Sequence, residues 1–301
     1  MSKIKVAIIG TGNCAKSLVE GVQFYTENQA NIDGMMRSDI GGYTAKDIEF
    51  VCAFDIDERK VNQPLGVALK QKPNSAWNIV ETITSTAPVY EAPVIDGYAL
   101  LMDAYPEANR FLVSEDLRNT TEMNRTDWTD KKSRLWKDRV IAQLKEHEVE
   151  VLINYLPVGS QNATEFWAEI CLETGISLVN CIPVFIASDP AWEKRFIDAG
   201  IPLIGDDMRS QFGASILSQM LQELAFERGH VVKAHIQRNV GGNTDFLNME
   251  DKTRLKSKKI SKENVIRAQN EIRGIATEGS FLHAGPSEYI SYYGDNKVAN
   301  F

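Results

Sequence analysis

The chain has 301 residues and a net charge of −8, from 33 basic and 41 acidic side chains. Its 43% hydrophobic and 25% charged content excludes a disordered or fibrous protein, and the acidic balance argues against a general nucleic-acid binder. At about 150 residues per domain the length suggests roughly two domains. The first residues carry too short an apolar run for a signal peptide, and no run of about 18 apolar residues exists, so the cytoplasm is the expected compartment.

Residues 4–9 form a β-branched run ending in Gly10, which predicts a strand. Leu18, Val19, Val22 and Tyr25 then fall on one helical face. Residues 27–46 are polar and glycine-containing and read as an inserted loop before a second strand at 48–54. Five prolines punctuate 62–128, predicting irregular structure with one helix near 98–104. Residues 129–146 place Leu135, Trp136, Val140, Ile141 and Leu144 on one face of a helix. Strands follow at 151–156, within 176–186 and at 202–205. Between them lie a helix carrying Phe166 and Trp167, ended by Gly175, and a second one capped by Asp189. This alternation predicts a parallel sheet with helices on both faces.

After residue 205 the pattern changes. Ile216, Leu217, Met220, Leu221 and Leu224 form a helical stripe, 231–240 reads as a strand with one exposed face, and a helix is expected over 262–274. Cys14, Cys52, Cys171 and Cys181 lack metal or redox spacing and read as small buried hydrophobes. The four histidines show no paired spacing, so no metal ligand set is legible.

The string Gly10-Thr11-Gly12-Asn13-Cys14-Ala15 fits G-x-G-x-x-G/A between a strand and a helix, the context of a dinucleotide loop. Gly10 allows the tight turn, Gly12 the approach of a pyrophosphate, and Ala15 close helix–strand packing. Asp55 ends the second strand, where an acid takes ribose hydroxyls and favours NAD; it lies 45 residues after Gly10, with the 27–46 insertion accounting for the long spacing, and Asp57 is the alternative.

A second cluster begins at Gly205-Asp206-Asp207, at a strand's carboxyl end, with Ser210 and Gln211 leading into the next helix. Asn243 and Asp245 lie in a glycine turn. Six of the eleven residues from Lys252 to Lys262 are Lys or Arg, an anion-binding concentration in an acidic chain, and Lys297 follows near the end. Lysines crowded among charges change proton affinity and suit carbonyl chemistry on a phosphorylated substrate. Lys252, Arg254, Lys256 and Lys259 read as solvated neighbours, whereas spacing does not choose among the six cations.

Residues 152–160, 180–188, 205–211, 239–248 and 255–262 together resemble myo-inositol-1-phosphate synthases of the bacterial and archaeal type, and the strings at 10–15 and 294–299 extend the likeness to both ends. The resemblance implies a Rossmann-type NAD-binding domain over 1–200, with insertions at 27–46 and 62–128. It implies a second α+β catalytic and tetramerisation domain over 201–301. It further implies conversion of D-glucose 6-phosphate to 1D-myo-inositol 3-phosphate, for inositol and phospholipid biosynthesis. NAD oxidises C5, C6 loses a proton, its enolate closes on the C1 aldehyde, and C5 is reduced again.

By position, Lys258 matches the lysine that moves the C5 hydroxyl proton. Lys262 and Lys297 match lysines at the phosphate and oxyanions, and Asp207 matches the acid that orients them. Asn243 and Asp245 match groups near the sugar and nicotinamide, and Ser210 and Gln211 match the phosphate-binding helix start. Gly10, Thr11, Gly12, Asn13, Cys14, Ala15 and Asp55 match the NAD site. The family's need for a divalent cation varies. Its members continue several dozen residues past the 294–299 string with another lysine, so the alternative is a shortened homologue that binds NAD or sugar phosphate and assembles without turnover.

Overall fold

The computed structural model describes residues 3–122, 128, 130–208, 213–255, 260, 267–273 and 281–290. Strand β1 (Ile4–Ile9) leads through the glycine turn into α1 (Asn13–Glu27), and β2 (Ile48–Asp55) returns parallel to β1 with Ile8 opposite Ala53. The 27–46 segment between them is loop, as expected, apart from an isolated bridge of Ile40 to Tyr43 and the start of a short 3₁₀ turn. A short helix, α2 (Leu65–Ala68), precedes β3 (Val89–Glu91), and α3 (Glu115–Arg118) and α4 (Lys131–Glu146) follow. Then come β4 (Val151–Asn154), α5 (Gln161–Thr174), β5 (Ser177–Asn180), α6 (Pro190–Ala199) and β6 (Leu203–Ile204).

The six strands pair in parallel in the order β3-β2-β1-β4-β5-β6. That is the order of the doubly wound dinucleotide-binding sheet. Pleating sends alternate residues to opposite faces. Ile8 and Ala53 pack with Ala15 and Val19 of α1 and with Leu65 and Ala68 of α2. On the other face Ile9, Phe54, Leu152 and Leu178 meet Val140 and Leu144 of α4, Phe166 and Trp167 of α5, and Phe196 of α6. Phe54 and Trp167 lie 4.9 Å apart, centroid to centroid, across the centre of this layer. Both faces are covered, which is why these strands read as apolar runs rather than alternating ones.

The chain punctuation behaves as its chemistry requires. Asp189 accepts from the Ala191 and Trp192 amides and opens α6. Gly175 closes α5 at φ +77°, a left-handed conformation that costs glycine nothing. Two expectations need correction. The 62–128 segment contributes β3 to the sheet; three residues behind Pro88 are too few to show a period. Leu135, placed on the buried face of α4, is 69% exposed, while Trp136 is the residue that turns inward.

Beyond the first sheet, α7 (Ala214–Glu227) leads to β7 (Ala234–Gly241), α8 (Thr244–Asn248) and β8 (Phe281–Tyr289). β7 and β8 pair in parallel as a separate two-stranded sheet. No sequence signal announced β8. The helix expected over 262–274 is described over 267–272 and gives way to a turn at Arg273; 262–266 and 274 lie outside the described residues. The expected stripe is helical: Ile216 and Leu217 are half-buried, Met220, Leu221 and Leu224 are exposed, and Gln222 is the buried residue of α7.

Candidate active site

The glycine turn and the last residues of β2, β4 and β5 lie at the carboxyl ends of the parallel strands. Gly10 turns at φ +84°, and a Cβ there would stand 2.7 Å from the Tyr155 carbonyl oxygen, so only glycine fits. Gly12 caps α1 at an ordinary φ of −83°, with no side chain on the helix's first amides, and a Cβ built on it meets nothing within 4 Å. The first turn of α1 holds no acid. An uncapped helix start beside open space is an anion seat: free N–H groups and the positive end of the macrodipole face it. These features fit the pyrophosphate of a dinucleotide.

Asp55 reaches this loop, though by an unexpected route. Its Oδ2 accepts from the Thr11 amide at 2.7 Å and from the Thr11 hydroxyl, and its Oδ1 accepts from the Ile56 and Asp57 amides at 2.7 and 2.9 Å. Lys60 Nζ stands 4.0 Å from Oδ2. Burial works against the Asp55 charge, but Lys60 and the Thr11 and Asp57 donors outweigh it and hold the pKa below the ordinary carboxylate range. Asp55 is therefore clamped to the loop. The alternative, Asp57, is also engaged: it accepts from the Arg59 guanidinium and amide and from the Leu112 amide.

The 74–79 segment is strapped along α1. Asn13 Oδ1 accepts from the Ser75 and Ala76 amides, both at 2.7 Å. The buried Lys16 ammonium donates to the Ala76 and Trp77 carbonyls and to Asn78 Oδ1, and Glu20 accepts from the Ile79 amide. Cys14 is exposed and Cys181 half-buried, so the expectation of buried cysteines holds for Cys52 and Cys171 alone. Burial pushes the Cys181 thiol up to about 11.

A polar ladder crosses the ends of β4, β5 and β6. Asn154 and Asn180 are opposite each other in register, and Asn154 Nδ2 donates to Asn180 Oδ1 at 2.9 Å. Asn180 Nδ2 donates to Asp206 Oδ1 and to the Val184 carbonyl, both at 2.7 Å. Asp206 also accepts from the Ile186, Ala187 and Ser188 amides. Asp207 follows with φ +62°, and its amide donates to the Ile182 carbonyl. Sequence reasoning placed Asp206 in the 205–207 cluster, singled out Asp207, and missed Asn154 and Asn180; the signal available was an asparagine ending each of two consecutive strands. Asp206→Ala strands four donors. It is expected to cost about 2–4 kcal/mol in urea unfolding, and a midpoint equal to the parent's would show that water replaces the carboxylate.

The second sheet's connection docks on this same edge. Asn243 caps α8 by accepting from the Phe246 amide at 3.2 Å, with Asp245 in the helix's first turn. Asn248 Nδ2 donates to the Val158 carbonyl. Arg254, expected to be solvated, instead donates to the Val158 and Asp96 carbonyls at 3.1 and 2.6 Å and lies across Gly159, whose Cβ would meet it at 2.5 Å. α8 is thus docked on the β4–α5 loop through Phe246 and Asn248, while Thr244 in its first turn donates to the Asn109 carbonyl. Ser210, Gln211, Lys258, Lys262 and Lys297 lie outside the described residues. The helix after Ser210 and Gln211, α7, starts at Gly213 without a side-chain cap or a first-turn acid. Among the described residues no cluster of His, Cys, Asp or Glu is placed to hold a metal, and no helix is long and apolar enough to cross a membrane.

Comparison with known proteins places the chain in a family. The profile of the family described as Myo-inositol-1-phosphate synthase matches residues 213–301. Inositol-3-phosphate synthase of Mycobacterium tuberculosis is 38% identical over 300 residues, covering 99% of this chain and 74% of that protein. Those of Mycolicibacterium smegmatis and Corynebacterium glutamicum are each 38% identical, across 76% and 77% of their lengths. The chain belongs to the myo-inositol-1-phosphate synthase family. A myo-inositol-1-phosphate synthase-related protein from Thermotoga maritima shares the fold, with a TM-score of 0.73 at 23% identity over 97% of this chain and 75% of that one. The crystal structure of Ari2 superposes with a TM-score of 0.70 at 27% identity, over 97% and 74% of the two chains. In this member of the family, the glycine turn and the asparagine ladder lie at the carboxyl edge of one sheet, and α8 docks on the β4–α5 loop beside them.

Proposed function

We propose that the protein converts D-glucose 6-phosphate to 1D-myo-inositol 3-phosphate. The observation that carries the reading is 38% identity, over 99% of this chain, to proteins named inositol-3-phosphate synthase. The uncapped α1 start and open Gly12 support a dinucleotide, and the uncapped α7 start supports a sugar phosphate. Bound NAD would supply reversible hydride exchange at C5 with no net redox. Gly10, Thr11, Gly12, Asn13, Cys14 and Ala15 would hold its pyrophosphate, with Asp55 fixing their turn.

Ser210 and Gln211 would seat the phosphate at the start of α7. Lys258 would take and return the C5 hydroxyl proton. Lys262 and Lys297 would stabilise the phosphate and the oxyanions as C6 loses its proton and attacks C1, an effect strong where water is excluded. Asp207 would orient these lysines, and Asn243 and Asp245 would line the sugar beside the nicotinamide. The division into a nucleotide-binding part over about 1–200 and a catalytic and oligomerisation part beyond is proposed with it, β6 completing the first sheet before the chain leaves for α7.

The purified protein, incubated with glucose 6-phosphate and NAD, is expected to yield inositol phosphate without net accumulation of NADH. Net NADH would indicate a sugar-phosphate dehydrogenase instead. Well-folded, NAD-loaded protein that makes no product would support a binding and assembly homologue.

A homotetramer is proposed from the same second part. Met220, Leu221 and Leu224 on α7, with Val231 and Ile236 nearby in sequence, leave apolar surface in water. Such surface marks an interface when it is contiguous. Leu221→Glu combined with Leu224→Glu is expected to lower the mass seen by light scattering to that of a smaller assembly. An unchanged mass would remove this face from the interface.

A further inference from the structure

Lys60 is a lysine that the sequence gives no reason to notice. It lies in the turn after β2 and is 1% exposed. A buried ammonium is costly unless acceptors surround it, and burial lowers its proton affinity here. Its Nζ donates to the Thr11 carbonyl and to Asn74 Oδ1, both at 2.9 Å. Asn74 Nδ2 donates to the same Thr11 carbonyl at 2.9 Å and to the Leu69 carbonyl at 3.0 Å. Thr11 is thus held from both ends: its amide and hydroxyl by Asp55, its carbonyl by Lys60 and Asn74.

The consequence follows from the planar trans peptide. The carbonyl of one residue and the N–H of the next point in opposite directions. Two donors pull the Thr11 carbonyl into the interior, so the Gly12 N–H must point outward. Among the described residues that N–H has no acceptor, and the space beside Gly12 is open. Gly12 has an ordinary φ, so its missing side chain serves to keep that space clear rather than to permit the turn. The Lys60 charge is balanced by Asp55 nearby, so its contribution is direction rather than net attraction.

We propose that Lys60 and Asn74 are positioning residues for the dinucleotide pyrophosphate, acting through the Thr11–Gly12 peptide. The inference rests on the dinucleotide reading above and names the groups that orient its anion-binding amide. They touch the loop and not the cofactor.

The test separates pyrophosphate recognition from fold. Binding of ADP-ribose, which carries the pyrophosphate, and of adenosine, which does not, is measured by titration for the parent, Asn74→Ala, Lys60→Met and Lys60→Arg. Asn74→Ala keeps the Lys60–Asp55 pair and so preserves the buried charge balance if Lys60→Met fails to fold. In Asn74→Ala, ADP-ribose is expected to bind about tenfold more weakly, the worth of one oriented hydrogen bond to a charged group, with adenosine within about twofold of the parent. Lys60→Met is expected to lose about a hundredfold for ADP-ribose, and Lys60→Arg, which keeps a donor, to recover part of it. An Asn74→Ala protein that binds ADP-ribose as the parent does, or that loses adenosine by the same factor, overturns the proposal. A folded parent that binds neither ADP-ribose nor NAD overturns the dinucleotide reading itself.

Discussion

Asp55→Ala is expected to cost about 3–5 kcal/mol of stability and to abolish measurable NAD binding. The carboxylate is 8% exposed and accepts from three amides and a hydroxyl while facing a buried ammonium. Alanine leaves every one of those donors without its partner and strands the Lys60 charge, the costlier half of breaking a buried pair. The loop then loses the group that holds Thr11. The pH dependence follows from the depressed Asp55 pKa. A carboxylate whose folded pKa lies below its unfolded one adds stability that is complete above the ordinary carboxylate pKa, about 4, and is lost as pH falls through the folded value. Asp55→Asn should therefore flatten the loss of stability below about pH 4. Urea midpoints at several pH values between neutrality and acid measure both effects. A parent-like midpoint for Asp55→Ala at neutral pH would show that the clamp contributes nothing.

Much of this sheet could be read from residue order, because its signals are local. The Gly10 turn, the β-branched run before it, the Asp189 cap and the Gly175 stop each act within a few residues. β3 was invisible since Val89–Glu91 pairs through its backbone with Ala53 to Asp55, a partnership set by register rather than by pattern. The site divides along the same line. Asp55 and the glycine loop were legible from their positions relative to strands, but not the geometry by which Asp55 acts. Lys60, Asn74 and Asp206 find partners up to 63 residues away in the chain. No helical or strand period reports such a contact.

Charge counts misled in the same way. Arg254 sits in a basic run and looks solvated, yet the carbonyls of Val158 and Asp96 draw it inward. Lys16 and Lys60 resemble ordinary surface lysines in composition and are buried in fact. The α7 stripe shows the converse limit: a helical period identifies an apolar face but does not say whether the chain's own core or a second copy covers it.

Lys258→Ala is expected to lower the rate of inositol phosphate formation by about 10²–10⁴-fold while leaving NAD binding intact. The expectation follows from the role assigned to the ammonium. Moving a hydride away from C5 requires that the C5 hydroxyl lose its proton in the same step, and the reverse step must give it back. A lysine amine that gives up and takes back a proton serves both directions. The corresponding barrier increase is about 3–5 kcal/mol. Lys258→Arg distinguishes this role from simple charge. Arginine keeps the cation and can still neutralise phosphate, but it does not deprotonate in proteins, so it should restore substrate affinity and not turnover. Lys262→Arg, at a position assigned to phosphate and oxyanion contacts, should by the same reasoning retain most of its rate. Steady-state kinetics with glucose 6-phosphate, beside NAD titrations of each variant, reads these outcomes. Full turnover in Lys258→Arg would move the proton transfer to another residue and leave Lys258 as an electrostatic contact alone.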